Sequence, residues 1–311
     1  MHVLPGEEIT REPGYLRGHG TVLGDSGRLI ATVAGVVERV NSLVSVRALA
    51  ARYAGEVGDV VVGRIVDVQA KRWRVDVCGR QDAVLLLSSV NLVGGAQRRR
   101  TAEDQLHMRD FFAEDDLVSA EVHSVFADGS LSLHARSLEY GRLENGTFVA
   151  VPPALMRRLK AHFVSLAVGV DTILGLNGVI WLTETPAGGG AAGPRGVGGG
   201  GSALDSAALA ADAGHAQVVE AAKRAAAERD IGGGARLRIA RVRNAILALA
   251  AEGLVISPDA ILIVYAESER LGLSPAALLD AEDAARACAP AKSAARAEAA
   301  ARVGDAVVPD K

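Results

Sequence analysis

Lys71-Arg72-Trp73-Arg74 sets three cations around one indole, and Arg98-Arg99-Arg100 adds three more further along the chain. Cations neutralise phosphates and a flat aromatic face stacks on a base, so this mixture of residue types suits single-stranded nucleic acid. Trp73 taken alone fits a core equally well. Three consecutive arginines do not, because desolvating unpaired charge is costly, and Arg98 to Arg100 are expected to face solvent or a polyanion.

Other candidate chemistry is thinner. The seven histidines are scattered, and the acidic run Glu114-Asp115-Asp116 is consecutive, so its carboxylates project in different directions with no His or Cys beside them. Neither pattern supplies the convergent metal ligands or the acid–base pair of a hydrolytic nuclease. No catalytic residue, metal ligand or cofactor is assigned. His19, between Gly18 and Gly20, has no neighbouring nucleophile or carboxylate and is read as structural or interfacial. Gly188, Gly190 and Gly193 satisfy G-x-G-x-x-G, but Pro186 and Pro194 bracket them and more glycine follows, where a dinucleotide site needs a strand turning straight into a helix. The stretch is read as a flexible surface loop.

The cations must be positioned by strands. From Gly63 to Val68 and from Trp73 to Val77 polar and apolar residues alternate, which predicts two half-buried antiparallel strands with a turn at Gln69–Arg72. Further strands are predicted at Ala83–Leu87, Leu117–Val125 and Ser130–His134, the last pair joined by Ala127-Asp128-Gly129. Five short strands with one long connection before the fourth fit a small OB-type barrel over 58–138, a fold that holds oligonucleotides on its open face. Thr101-Ala102-Glu103-Asp104 has the form of a capping box and predicts a short helix running to Phe112.

Residues 1–57 read as β, with strands at Thr21–Leu23, Leu29–Val33, Gly35–Val40 and Leu43–Val46. Charge is balanced there, which suits a protein partner, and Tyr15, Arg17 and His19 are the expected docking residues in a stretch too irregular for a simple strand. From residue 139 to 288 the pattern is mixed α and β. A strand at Gly146–Val151 is followed by Pro152-Pro153 and a predicted helix over Ala154–Lys160. Strands at Val170–Leu174 and Val179–Leu182 flank Gly175-Leu176-Asn177-Gly178, where Asn-Gly signals a hairpin whose two turn positions tolerate positive φ. Helices are predicted at Ala235–Ala251, with Leu237, Val242, Ile246 and Leu249 on one stripe, at Pro258–Leu271 and at Pro275–Ala287. The alanine-rich end, 289–311, reads as a flexible tail.

At 311 residues the chain has room for two or three cores, and a net charge of −3 confines any nucleic-acid binding to local patches. Cys78 and Cys288 lie in different segments and imply no disulfide framework. The first residues lack a secretory pattern, and no apolar run is long enough for a membrane span. The expectation is a soluble intracellular protein.

These residues carry a resemblance to ribosomal RNA-processing protein 4, a family of cap subunits of the RNA-degrading exosome. The matching segments are Gly14–Thr21, Val33–Asn41, Gly55–Arg64, Gln69–Trp73, Leu85–Asn91, Arg98–Asp104 and Ser130–His134, with the G-x-N-G signature at Gly175, Asn177 and Gly178 followed by Ile180-Trp181. The resemblance runs from about His2 to about Ala287. It implies an N-terminal β domain, a ribosomal S-type OB domain and a KH-type domain, in all a multidomain chain that is mainly β and then α/β. It further implies an accessory subunit, not an enzyme, that caps a ring of RNase PH-like subunits beside other cap subunits. Single-stranded RNA would be guided through that cap, in the nucleus, the nucleolus and also the cytoplasm. Lys71, Arg72, Trp73, Arg74, Arg98, Arg99, Arg100 and His134 are the expected RNA contacts. A free-standing RNA-binding or translation-associated factor is the alternative.

Two departures qualify the match. A KH domain clamps RNA backbone with a G-x-x-G loop, and Met156–His162 contains no glycine. The KH-like domain is therefore read as mostly structural, with Gly175, Asn177 and Gly178 forming a structural hairpin and Arg157, Arg158 and Lys160 as weak phosphate contacts. The second departure is the glycine-rich insertion, 188–202.

Overall fold

The computed structural model describes residues 2–24, 27–48, 52–90, 105–137, 139–185 and 231–305, with side chains described to residue 297. Arg98 to Arg100, the capping box and the glycine-rich insertion lie outside the described residues. The chain divides into two units, Met1–Arg52 and Tyr53–Lys311.

The first unit contains β1 (His2–Val3), β2 (Glu8–Thr10), β3 (Leu16–Arg17), β4 (Thr21–Leu23), β5 (Leu29–Ala31), β6 (Gly35–Val40) and β7 (Leu43–Ala48). They form two small sheets, ordered β1-β6-β7-β3 and β2-β5-β4, around Val3, Ile9, Leu29, Ala31, Val44 and Val46. The run Gly18-His19-Gly20 is glycine-rich for a reason. Gly20 has φ +71, and a Cβ there would sit 2.6 Å from the Val46 carbonyl oxygen, while the His19 carbonyl accepts the Val46 N–H at 2.8 Å.

The second unit begins with β8 (Val60–Val68), β9 (Arg72–Asp76), β10 (Ala83–Val90), α1 (Met108–Phe111), β11 (Leu117–Val125), β12 (Leu131–Ala135) and β13 (Gly141–Arg142). The order β12-β10-β9-β8-β11 closes through an additional β12–β11 pairing, giving the expected five-stranded barrel without free edges. The β10–β12 pair is parallel and the others are antiparallel. Helix α1 is one turn long, and its Met108 and Phe111 join the barrel core.

Then follow β14 (Gly146–Ala150), β15 (Phe163–Leu166), β16 (Val170–Leu174), β17 (Val179–Glu184), α2 (Gly233–Ala251), α3 (Pro258–Arg270) and α4 (Ala281–Asp305). The sheet, ordered β14-β17-β16-β15, is covered on both faces. Val149, Val170, Leu174, Ile180 and Leu182 pack with Val242, Ile246, Leu249, Ile261 and Val264 of the helices. Ile173, Val179 and Trp181 pack with Val60, Val62, Ala135 and Tyr140 from the barrel side. Every residue of β16 is buried as a result. Helix α3 starts where the sequence asks it to, with the Ser257 hydroxyl accepting the Ala260 N–H at 3.2 Å and Pro258 in the first turn.

Three expectations are corrected. Ala154–Lys160 is not a helix: a 3-10 turn at Pro153–Leu155 is followed by extended Met156, which bridges to Ile256. The Ile256 N–H goes to Leu155 and the Leu174 N–H goes to His162, both at 2.9 Å, so these carbonyls are bonded across space and not along a helix. On α2, Leu237 is 62% exposed, and Ala235 and Ile239 take its place on the buried stripe. The last helix begins at Ala281, after a 3-10 turn at Ala277–Leu279, and continues through Pro290. Ala287, Cys288 and Ala291 anchor it in the core, and Lys292 pairs with Glu252.

Candidate nucleic-acid interface

Strand β9 alternates exposed and buried positions, Arg72, Arg74 and Asp76 outside, Trp73 and Val75 inside. Trp73 is fully buried. Its Nε1–H donates to the Phe112 carbonyl at 3.0 Å, and its ring meets that of Phe112 edge-on with centroids 5.2 Å apart. This corrects the stacking role expected of Trp73: the two-residue period that exposes its arginine neighbours sends the indole into the core. Lys71, at the β8–β9 turn, and Arg72 are exposed and pair with no carboxylate among the described residues, Arg72 being steadied by the Gln69 side chain. Arg74 forms an ion pair with Asp82, so part of its charge is already met. Arg72 stands opposite Leu86, which is exposed, and Arg74 opposite Val84.

His134 lies on β12, separated from β9 by β10. Its Nε2 is 4.0 Å from the Glu121 carboxylate, and its ring is edge-on to His123 and Tyr140. Burial pushes its pKa down, with Glu121 acting in the opposite sense. Tyr140 donates its hydroxyl hydrogen to Glu121 at 2.9 Å, and its own ionisation is pushed up by burial and that carboxylate. His134 belongs to this shielded cluster and not to the face that carries Arg72.

The G-x-N-G turn is built into the barrel. Asn177 is buried, and its Nδ2 donates to the carbonyls of Val62 at 2.8 Å and Val77 at 3.1 Å. Its Oδ1 accepts the Val62 N–H at 3.3 Å, and the Leu176 N–H reaches Val60. Only Gly178 is left-handed (φ +84), so the connection is a four-residue turn closed by the Gly178 N–H on Gly175, not the two-residue form with two positive φ values. A Cβ on Gly178 would lie 2.2 Å from the Val151 carbonyl oxygen. Nearby, Arg158 pairs with Asp59 and with Glu56, and Asp59 also accepts the Tyr53 hydroxyl at 2.8 Å. Burial and that carboxylate push the Tyr53 ionisation up. Arg158 is thus engaged with carboxylates and is removed from the expected phosphate contacts, while Arg157 and Lys160 are exposed.

Family models match the chain in three places: the RRP4 N-terminal region of the exosome complex exonuclease over residues 3–40, the RRP4 S1 domain over 52–124 and a KH domain over 146–188. Exosome complex component RRP4 of Mus musculus is 58% identical over 184 residues, covering 59% of this chain and 62% of that protein. The Schizosaccharomyces pombe protein of that name is 53% identical over 182 residues, covering 58% and 55%. Exosome complex component Rrp4 of Pyrobaculum aerophilum is 29% identical over 187 residues, covering 58% and 76%.

The chain is similar to RRP4 proteins in all three segments.

It spans between half and two thirds of the length of these eukaryotic relatives. The RRP4 N-terminal match contains all three expected docking residues. Arg17 and His19 are exposed, and Tyr15 is half-buried with the Arg39 guanidinium 5.4 Å above its ring. Beside them stands a feature the sequence reading missed. Leu16 pairs with Leu43 across β3 and β7, and Leu43 pairs with Val40 across β7 and β6. Leu16, Leu43 and Val40 are 62%, 42% and 65% exposed, a contiguous apolar row on the β1-β6-β7-β3 sheet. The Val40–Leu43 half was legible from the turn at Asn41-Ser42, but the parallel β3 partner was not.

Proposed function

We propose that this chain is a non-catalytic, RNA-binding cap subunit of an exosome. In this reading it holds single-stranded RNA on its barrel and guides it into a ring of RNase PH-like subunits for 3′-to-5′ processing and decay. The observation that carries the proposal is the closed barrel whose β8–β9 hairpin leaves Lys71 and Arg72 exposed, with no carboxylate paired to them among the described residues. Such a surface attracts phosphates without sequence readout, as a guide for diverse RNAs requires. The exposed row of Leu16, Val40 and Leu43 supports a protein-docking role for the N-terminal unit. Work in the nucleus and nucleolus, and also in the cytoplasm, belongs to the same proposal.

The test is titration of a labelled single-stranded RNA with the full chain at several salt concentrations. If about four phosphates are neutralised, log affinity falls with log salt at a slope of roughly −3. Replacing Lys71 and Arg72 together by alanine flattens the slope by about 1.4. A slope near zero, or a double variant that behaves as wild type, removes the barrel hairpin from the reading.

A further inference from the structure

With Trp73 inside, the aromatic partner of the barrel cations has to be found elsewhere. Among the described residues two phenylalanines are substantially exposed, Phe126 at 51% and Phe148 at 44%. Phe126 stands at the β11–β12 turn. Phe148 is different, because a cation already lies on its ring: the Arg64 guanidinium carbon is 5.6 Å from the centroid.

The fold explains why Phe148 is open. On β14 it pairs with Trp181, which pairs in turn with Ile173, so Phe148 ends a row that is otherwise buried between sheet and barrel. Strand β14 is the sheet edge, and the same-face neighbours Gly146 and Ala150 carry almost no side chain. The Trp181 ring lies across Gly146, where an added Cβ would be 2.5 Å from Cζ2. Phe148 therefore keeps a free face beside a packed one. Arg64 is on β8 with its side chain 45% exposed, 3.8 Å from Asp115, a loose pairing worth little at a surface. Arg64 stands opposite Asp76 on β9, and Arg74 and Arg72 follow two and four residues along. Successive outward positions on β9 are about 7 Å apart. Cations thus recur, interleaved with Asp67, Asp76 and Asp82, from the Lys71-Arg72 hairpin along the outer face to the edge where Phe148 stands.

We infer that Phe148, held under Arg64, is a base-stacking position for single-stranded RNA, with Arg64 contacting the adjoining phosphate. This rests on the RNA-binding reading above. The experiment is titration of the full chain with a labelled 12-nucleotide oligo(A) at several salt concentrations. Phe148→Ala is expected to weaken binding about 5- to 100-fold with the salt slope unchanged, and Arg64→Gln to flatten the slope by about 0.7. Phe148→Leu keeps apolar bulk beside Trp181 but has no π face; it should match alanine in RNA affinity and wild type in melting temperature. Phe148→Trp should retain binding and show indole quenching by RNA. A wild-type chain that binds RNA, with alanine and leucine variants within twofold of it, overturns the stacking position and leaves the RNA-binding reading standing. A wild-type chain that binds no RNA overturns both.

Discussion

Asn177 offers the sharpest test of how the KH-like region is held. Asn177→Ala deletes two donated bonds and one accepted bond, leaving the Val62 and Val77 carbonyls and the Val62 N–H short of a partner in a buried place. At about 1 kcal/mol for each bond the loss is about 3 kcal/mol, and a residual cavity adds to it. For a unit of this size that is a fall of roughly 6–12 °C in melting temperature. Asn177→Asp sharpens the test. It keeps shape and acceptor but aims a carboxylate oxygen at two carbonyls, so burial and repulsion raise the folded-state pKa above the unfolded value of about 3.9. The protonated form is the better tolerated one, and the variant recovers stability as pH falls from about 7 to about 5. Differential scanning fluorimetry of both variants across that range is the assay. A fall below about 2 °C for alanine, or an aspartate variant indifferent to pH, would refute the claim that this turn bolts sheet to barrel.

Leu16→Glu with Leu43→Glu should abolish co-purification with exosome ring subunits while leaving RNA affinity unchanged; intact assembly with lost RNA binding would reverse the roles given to the two units. His134 carries a pKa lowered by burial from 6.5, so the unfolded chain takes up a proton first and stability falls as pH drops through about 6.5. His134→Gln should flatten that part of the pH–stability curve, and an unchanged curve would place the dependence elsewhere. The purified chain should degrade no labelled RNA with magnesium, manganese or phosphate, checked by gel; dose-dependent cleavage that survives repurification would count against the accessory role.

Much of the fold was open to reading because its signals are local. Alternation along Gly63–Val68 and Trp73–Val77 specified both strands and their faces, and it also held the answer for Trp73, whose parity matches buried Val75. The cationic neighbours drew attention to a role that the pleat forbids. What failed depended on distant partners. The parallel β10–β12 pair within the barrel and the reach of Asn177 to Val62 join segments far apart in sequence. In Met156–His162, helix-compatible residues form no helix, and the Leu155 and His162 carbonyls are instead bonded to Ile256 and Leu174. The alanine-rich end was read as a flexible tail, yet the helix continues through Pro290, and burial of Ala287 and Ala291 holds it. Phe148 was a strand residue like any other until the edge position of β14 and the overhang of Arg64 were known.

The sheet covered on both faces has a consequence for anyone who wishes to dissect this protein. A barrel cut away after residue 138 would present Val60, Val62 and Ala135 to water, and a KH-like fragment cut at the same place would present Ile173, Val179 and Trp181. Each fragment inherits half of a sticky seam, so poor solubility of either piece would report the cut and not a misfolded parent. Limited proteolysis of the intact second unit should likewise release no freely soluble barrel.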